Sequence, residues 1–185
     1  MAGELTLQER RARWAAAREA FDGLGDELWS GGSTAMREVM GEIDGLVGAA
    51  EAGRVTVTAE VISRGDTGRG PDALTPVQWV RRYAPSTRSG GAGQVVAVAE
   101  AFSVSGLSPV KVAVQSGVLP VRSAAVVVAE ADRLGPLLTE GAEPAVLDGL
   151  IEMATQHGPP AVAWCARRCS PPTASTASCS TSRTG

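Results

Sequence analysis

Residues 110–128, VKVAVQSGVLPVRSAAVVV, decide the fold class. A helix-compatible run stops at Gly117, and Leu119-Pro120 reopens the chain with a proline where a new helix begins. Helix, glycine turn and second helix form the grammar of a helix-turn-helix, and Ala113, four residues before Gly117, is small enough to let the second helix approach. Ser108-Pro109 supplies a cap-plus-proline start for the first helix, and Gly135-Pro136 stops the second. The β-branched Val126, Val127 and Val128 disfavour helix slightly, but Val121, Ala124, Ala125, Val128 and Ala131 lie along one helical stripe. The expectation is a helix-turn-helix-like pair over 109–134. An ordinary αα-hairpin inside a bundle satisfies the same residues, and three consecutive valines leave little polar surface for reading bases.

Upstream, Thr75-Pro76-Val77-Gln78 combines an N-cap, a proline at the first helical position and a glutamine three residues after the cap. Trp79, Val80 and Tyr83 give that helix its apolar face, and Pro85 ends it. A turn at Gly90, Gly91 and Gly93 precedes the apolar run Gln94 to Phe102, so the punctuation divides 76–134 into four short helices. Downstream, Val146, Leu147, Leu150, Ile151 and Met153 predict a helix over Glu143 to Gln156, closed by His157-Gly158-Pro159. At the N-terminus, Thr6-Leu7-Gln8-Glu9 fits a capping box opening a helix that runs to Phe21. Met36, Val39, Met40, Ile43, Leu46 and Val47 predict a second helix from Thr34 to Ala52, with Gly53 as its C-cap. Val55 to Ile62 alternates like a strand, yet its neighbours are helices and no partner strand is evident, so helix is expected there too. Residues 64–72, RGDTGRGPD, read as a loop. The class is mostly α: a multi-helix bundle with the pair at 109–134 and a disordered C-terminal tail.

Composition narrows function. The 185 residues suit one packed domain, and 30 Ala and 21 Val against 7 aromatic residues imply a core of small aliphatic side chains. Lys111 is the only lysine, which excludes a Walker-type phosphate loop and nearly all lysine chemistry. His157 is the only histidine, which excludes a multi-histidine metal site, an HNH nuclease centre and most proton-relay hydrolases. Its place at a helix end suits interaction with the last carbonyls. No apolar run reaches the roughly 18 residues of a membrane span. Glu4 and Glu9 stand where a signal peptide would be basic and then apolar, so a cytoplasmic protein without membrane contact is expected.

Charge is uneven. Residues 1–74 carry a net −5, 75–134 a net +3, 135–160 a net −4 and 161–185 a net +3. The middle segment is where a polyanion would be met, with weak and salt-sensitive attraction. Its candidate DNA contacts are Arg122, in the first turn of the second helix of the pair, with Arg81, Arg82, Arg88 and Lys111 for phosphates. Gly91-Ala92-Gly93 superficially suggests a dinucleotide loop, but no strand precedes it and Val96 stands where the third glycine belongs. Arg64-Gly65-Asp66 reads as loop, and Glu38, Glu42 and Asp44 as a solvated helix face. No metal site, cofactor or catalytic group is expected.

The run Ala113-x3-Gly117-x-Leu119-Pro120-Val121-Arg122-Ser123-Ala124, preceded by Leu74 to Val80 and the helix through Ala99, resembles the actinobacterial 13E12-repeat family, also called domain of unknown function 222. The resemblance spans roughly Ile43 to His157. It implies a helical accessory domain of a kind often fused to a C-terminal HNH endonuclease and linked to mobile elements, with the nuclease part absent from these residues. The expected division is a helical extension over 1–32, a truncated family-like domain over 33–157 and a disordered tail over 158–185.

That tail holds Trp164 and all three cysteines, Cys165, Cys169 and Cys179, without a single Leu, Ile, Met, Phe, Asp, Glu or Lys. Stepping its back-translation by one base restores a helix-like apolar period, so a frame slip near codon 158 is expected, and the cysteines follow as accidents of frame rather than zinc ligands. Losing later helices would leave apolar surface open to self-association. The functional expectation is a non-catalytic accessory domain that contacts double-stranded DNA or packs on a nuclease partner. The alternative is a protein-interaction or inert structural domain.

Overall fold

A computed structural model describes residues 5–70 and 73–169, with side-chain surroundings described through Trp164. The chain divides into two compact units, Met1–Leu46 and Val47–Gly185. Helix is the only regular structure among the described residues, so the mostly α, multi-helix class stands.

In the first unit, helix α1 (Leu7–Glu19) starts at the capping box read from sequence. The Glu9 amide donates to Thr6 Oγ1 at 3.2 Å and the Thr6 amide donates to the Glu9 carboxylate at 2.7 Å. The bond from the Thr6 amide foremost, and a second from the Thr6 hydroxyl at 2.8 Å, hold the Glu9 carboxyl below its ordinary range. Gly23, at φ 76°, turns the chain into the short helix α2 (Leu24–Leu28). Helix α3 (Ser33–Arg64) begins in this unit and continues into the second. No residue of α1, α2 or the part of α3 before Ala52 is buried, although Met36, Val39 and Ile43 are partly covered.

The second unit contains α4 (Pro76–Tyr83), α5 (Ala92–Ala101), α6 (Ser108–Gln115), α7 (Val121–Leu134), α8 (Glu143–His157) and α9 (Pro159–Cys169). The four helices expected between 76 and 134 are therefore α4 to α7. Helix α7 is the hub, packed on α5, α6, α8 and α9, while α4 packs on α5. Val55, Val98, Val110, Ala124, Val127 and Val162 are fully buried, and the small side chains that composition foretold fill the core. Close helix approach follows from such short side chains.

The pair at 109–134 has the expected connection. Gly117 adopts φ 77°, and the Leu119 amide donates to the Ala113 carbonyl at 3.0 Å, folding the turn back over α6. Leu119 itself is buried under it.

Three expectations are corrected. Gly53 does not cap a helix, because α3 runs through it to Arg64. Ala52, Val55 and Thr58 are buried on both sides of the glycine, and this burial outweighs the roughly 1 kcal/mol penalty of a helical glycine. An added Cβ at Gly53 meets nothing within 4 Å, so Gly53→Ala should raise stability by about 0.5–1 kcal/mol in urea unfolding. Second, order does not end at 157: α9 packs on α7 and α8 with Val162 buried, and only the part of the expected tail from 170 onward lies outside the described residues. Third, the division falls at Leu46 within α3, not at residue 32. Ala17, Phe21 and Leu24 share a groove with Val39 and Ile43, so the glycine-rich break at 31–32 separates helices without separating their packing.

Candidate nucleic-acid interface

The basic residues of the middle segment are placed by three local devices. The first is the capping box of α4: the Gln78 amide donates to Thr75 Oγ1 at 3.2 Å, and Gln78 Oε1 accepts from the Thr75 amide at 2.8 Å. This start sets the phase that brings Arg81 and Arg82 into the last turn, where cations oppose the negative end of the helix dipole. The Trp79 and Tyr83 rings pack at 5.1 Å, and the Arg82 guanidinium lies 5.8 Å from the Tyr83 ring centroid.

The second is the turn after Pro85. Residues Pro85–Thr87 form a 3-10 turn in which the buried Thr87 hydroxyl donates to the Ala84 carbonyl at 2.8 Å. Arg88 then reaches back, donating from Nε to the Arg81 carbonyl at 3.2 Å. Arg81 and Arg88 are thus drawn together on an exposed surface beside Arg82.

The third is the glycine entry to α5. Gly91, at φ 91°, is the N-cap and supplies no side-chain acceptor, so the first amides of α5 keep their donor capacity. This end of α5 opens onto a cleft of about 450 Å³ lined by Arg54, Ser86, Gly91, Gln94 and Arg122, with Glu51 also in its wall. Arg54 donates from Nη2 to Ser86 Oγ at 3.4 Å, which ties α3 to the turn after α4. Neither Arg54 nor Arg122 is in an ion pair among the described residues. Two guanidiniums and an uncapped helix start supply this cleft with donors of the kind that hold anions, with the Glu51 carboxylate opposing them.

Of the sequence candidates, Arg122 lies in this cleft, Arg81, Arg82 and Arg88 form the neighbouring exposed cluster, and Lys111 stands apart on α6 with Nζ 5.8 Å from the Phe102 ring centroid. Arg54 has no local signal in the sequence: only the continuation of α3 through Gly53 brings it within reach of Ser86.

Helix α7 is covered over most of its circumference. Val121, Ser123, Ala124, Val127, Val128 and Leu134 are buried, and only Arg122, Ala129, Asp132 and Arg133 are exposed. A helix that reads bases must present a whole face to the major groove. The exposed positions of α7 form one narrow stripe along its length, Arg122, Ala129, Asp132 and Arg133, with partly covered Ala125 and Val126 between them.

Gly91-Ala92-Gly93 enters a helix from a 3-10 turn with no strand before it, the interhelical loop expected. Glu38, Glu42 and Asp44 are exposed, also as expected. His157 is exposed in the last turn of α8. Among the described residues no group of three or more His, Cys, Asp or Glu could hold a metal ion, and the cysteine side chains lie outside the description. No single described helix is long and apolar enough to cross a membrane. Compared with family models, with curated proteins and with solved structures, the chain matches none.

Proposed function

We propose that this chain is a non-catalytic helical accessory module whose second unit holds the phosphate backbone of double-stranded DNA without reading its sequence. The observation that carries the reading is the cleft where Arg54 and Arg122 flank the uncapped start of α5, next to the cluster of Arg81, Arg82 and Arg88. The exposed stripe of α7 has partly covered Ala125 and Val126 and exposed Ala129 at its middle, a largely apolar strip that favours backbone contact over base contact. Likeness to the 13E12-repeat family supports the same assignment and would place the module beside an HNH endonuclease.

Fluorescence anisotropy with two duplexes of unrelated sequence tests this. The expected result is binding to both within about threefold, weakening about 40-fold between 50 and 200 mM salt if about three phosphates are contacted. Replacing Arg54 and Arg122 together by alanine should weaken binding to both duplexes equally and flatten the salt slope by about two. Absence of binding at 50 mM salt, or a double variant that binds like the parent while keeping its helical signal, refutes the proposal.

A second reading, a protein-interaction module, is favoured by one feature of the first unit: Trp14, Phe21, Trp29 and Met40 are all exposed.

A further inference from the structure

Among its described residues the first unit has helices but no interior. Its apolar side chains are nonetheless ordered. Leu7, Trp14 and Phe21 recur every seven residues along α1 and just past its end, and all three are exposed. On α3, Met36 and Ile43 stand seven apart, with Met40 and Leu46 exposed beside them. Seven-residue spacing keeps one seam of a helix facing a partner helix, so both elements carry half of a helix–helix interface. Between them lies an apolar groove of about 280 Å³ whose wall includes Ala17, Phe21, Val39 and Ile43, with Glu38 and Glu42 at its edge.

Charge says what fits. Helix α1 carries Arg10, Arg11, Arg13 and Arg18 against Glu9 and Glu19, whereas the first-unit part of α3 carries Glu38, Glu42 and Asp44 against Arg37. Among the described residues no ion pair uses the arginines of α1 or the three acidic groups of α3. The basic side of α1 and the acidic side of α3 are therefore complementary, and among the described residues their charges are not used in ion pairs within the chain.

We propose that the first unit is a dimerisation arm that pairs with the same unit of a second copy. About a two-fold axis, α1 of each copy lies over the groove and α3 of the other, so that Arg11 and Arg18, which flank the α1 seam, meet Glu38 and Glu42 across the interface. Every contact is made twice, which is how a surface of such modest size becomes sufficient. Thirteen helical residues span about 20 Å, and two helices side by side are about as wide, so the buried area falls at the low end for a specific complex. The dimer should accordingly dissociate in the micromolar range.

Sedimentation equilibrium of the full chain from 1 to 200 µM tests this. The expected mass rises from 18.9 kDa toward twice that value. Exchanging charge on one face, Glu38→Arg with Glu42→Arg, or on the other, Arg11→Glu with Arg18→Glu, should weaken self-association at least about tenfold in each case, because like charges then face each other. Mixing the two variants should restore a dimer, since each interface then pairs arginine with glutamate again. Circular dichroism confirms that the variants stay helical; all four substitutions are at exposed positions. A parent chain that remains monomeric to 200 µM overturns the proposal and assigns the groove to some other cover. Dimers that ignore both charge exchanges, or variants that fail to pair when mixed, overturn it as well.

Discussion

Cutting the chain after Gly158 should lower the stability of the second unit by about 3 kcal/mol or more, read as a fall in the urea midpoint. Helix α9 contributes Val162, which is 0% exposed, and partly covered Ala161 and Ala163 pack with it. Burying one valine is worth about 1.5–3 kcal/mol, and removing the helix also exposes the parts of α7 and α8 that it covers. Against a typical total of about 5–15 kcal/mol this is a large fraction. Val162→Ala in the full chain should reproduce a smaller loss, about 2 kcal/mol, by leaving a cavity. Limited proteolysis should leave a resistant core that extends through at least Val162. A shortened chain with the parent's midpoint, or a resistant core ending at 157, would contradict the packing of α9.

Leu119→Ala should cost about 3–4 kcal/mol and lower the thermal midpoint by about 10 °C or more. Leu119 is among the largest fully buried side chains, and it sits in a turn rather than in a helix. The surroundings cannot close over the vacated space, because the turn is held on one side by the hydrogen bond to Ala113 and on the other by Pro120 entering α7. Gly117→Ala separates packing from backbone strain. An added Cβ there meets nothing within 4 Å, so its cost of about 1 kcal/mol comes from φ 77° alone. Asparagine, which tolerates the left-handed region better, should cost less than alanine. Equal losses for Leu119→Ala and Gly117→Ala in thermal unfolding would refute the assignment of Leu119 as the anchor of the turn.

The boundaries of α1, α4, α5, α6, α7 and α8 were legible because each is marked locally. Thr6 and Thr75 cap through their own side chains, Pro109 stands in a first turn, and Gly117 and Gly158 take positive φ. The misreadings share one cause. At Gly53 the local signal said stop, yet Val55 and Thr58 bury the next turn. After Gly158 the composition said tail, yet Val162 fills a gap between α7 and α8. In both places a buried side chain overrode a backbone preference worth about 1 kcal/mol or less. The candidate site was half legible: the arginines were visible as charge, but the partnership of Arg54 with Arg122 joins residues far apart in the chain.

By itself the sequence determined the helical class, the glycine turn of the central pair and the small-residue core, because these depend on residue type and spacing alone. The tertiary structure decided that α7 is the hub of the second unit, that α9 belongs to the core, and that the described residues of the first unit form helices without an interior. Each of those outcomes depends on which apolar faces meet across the chain, and no local spacing records that.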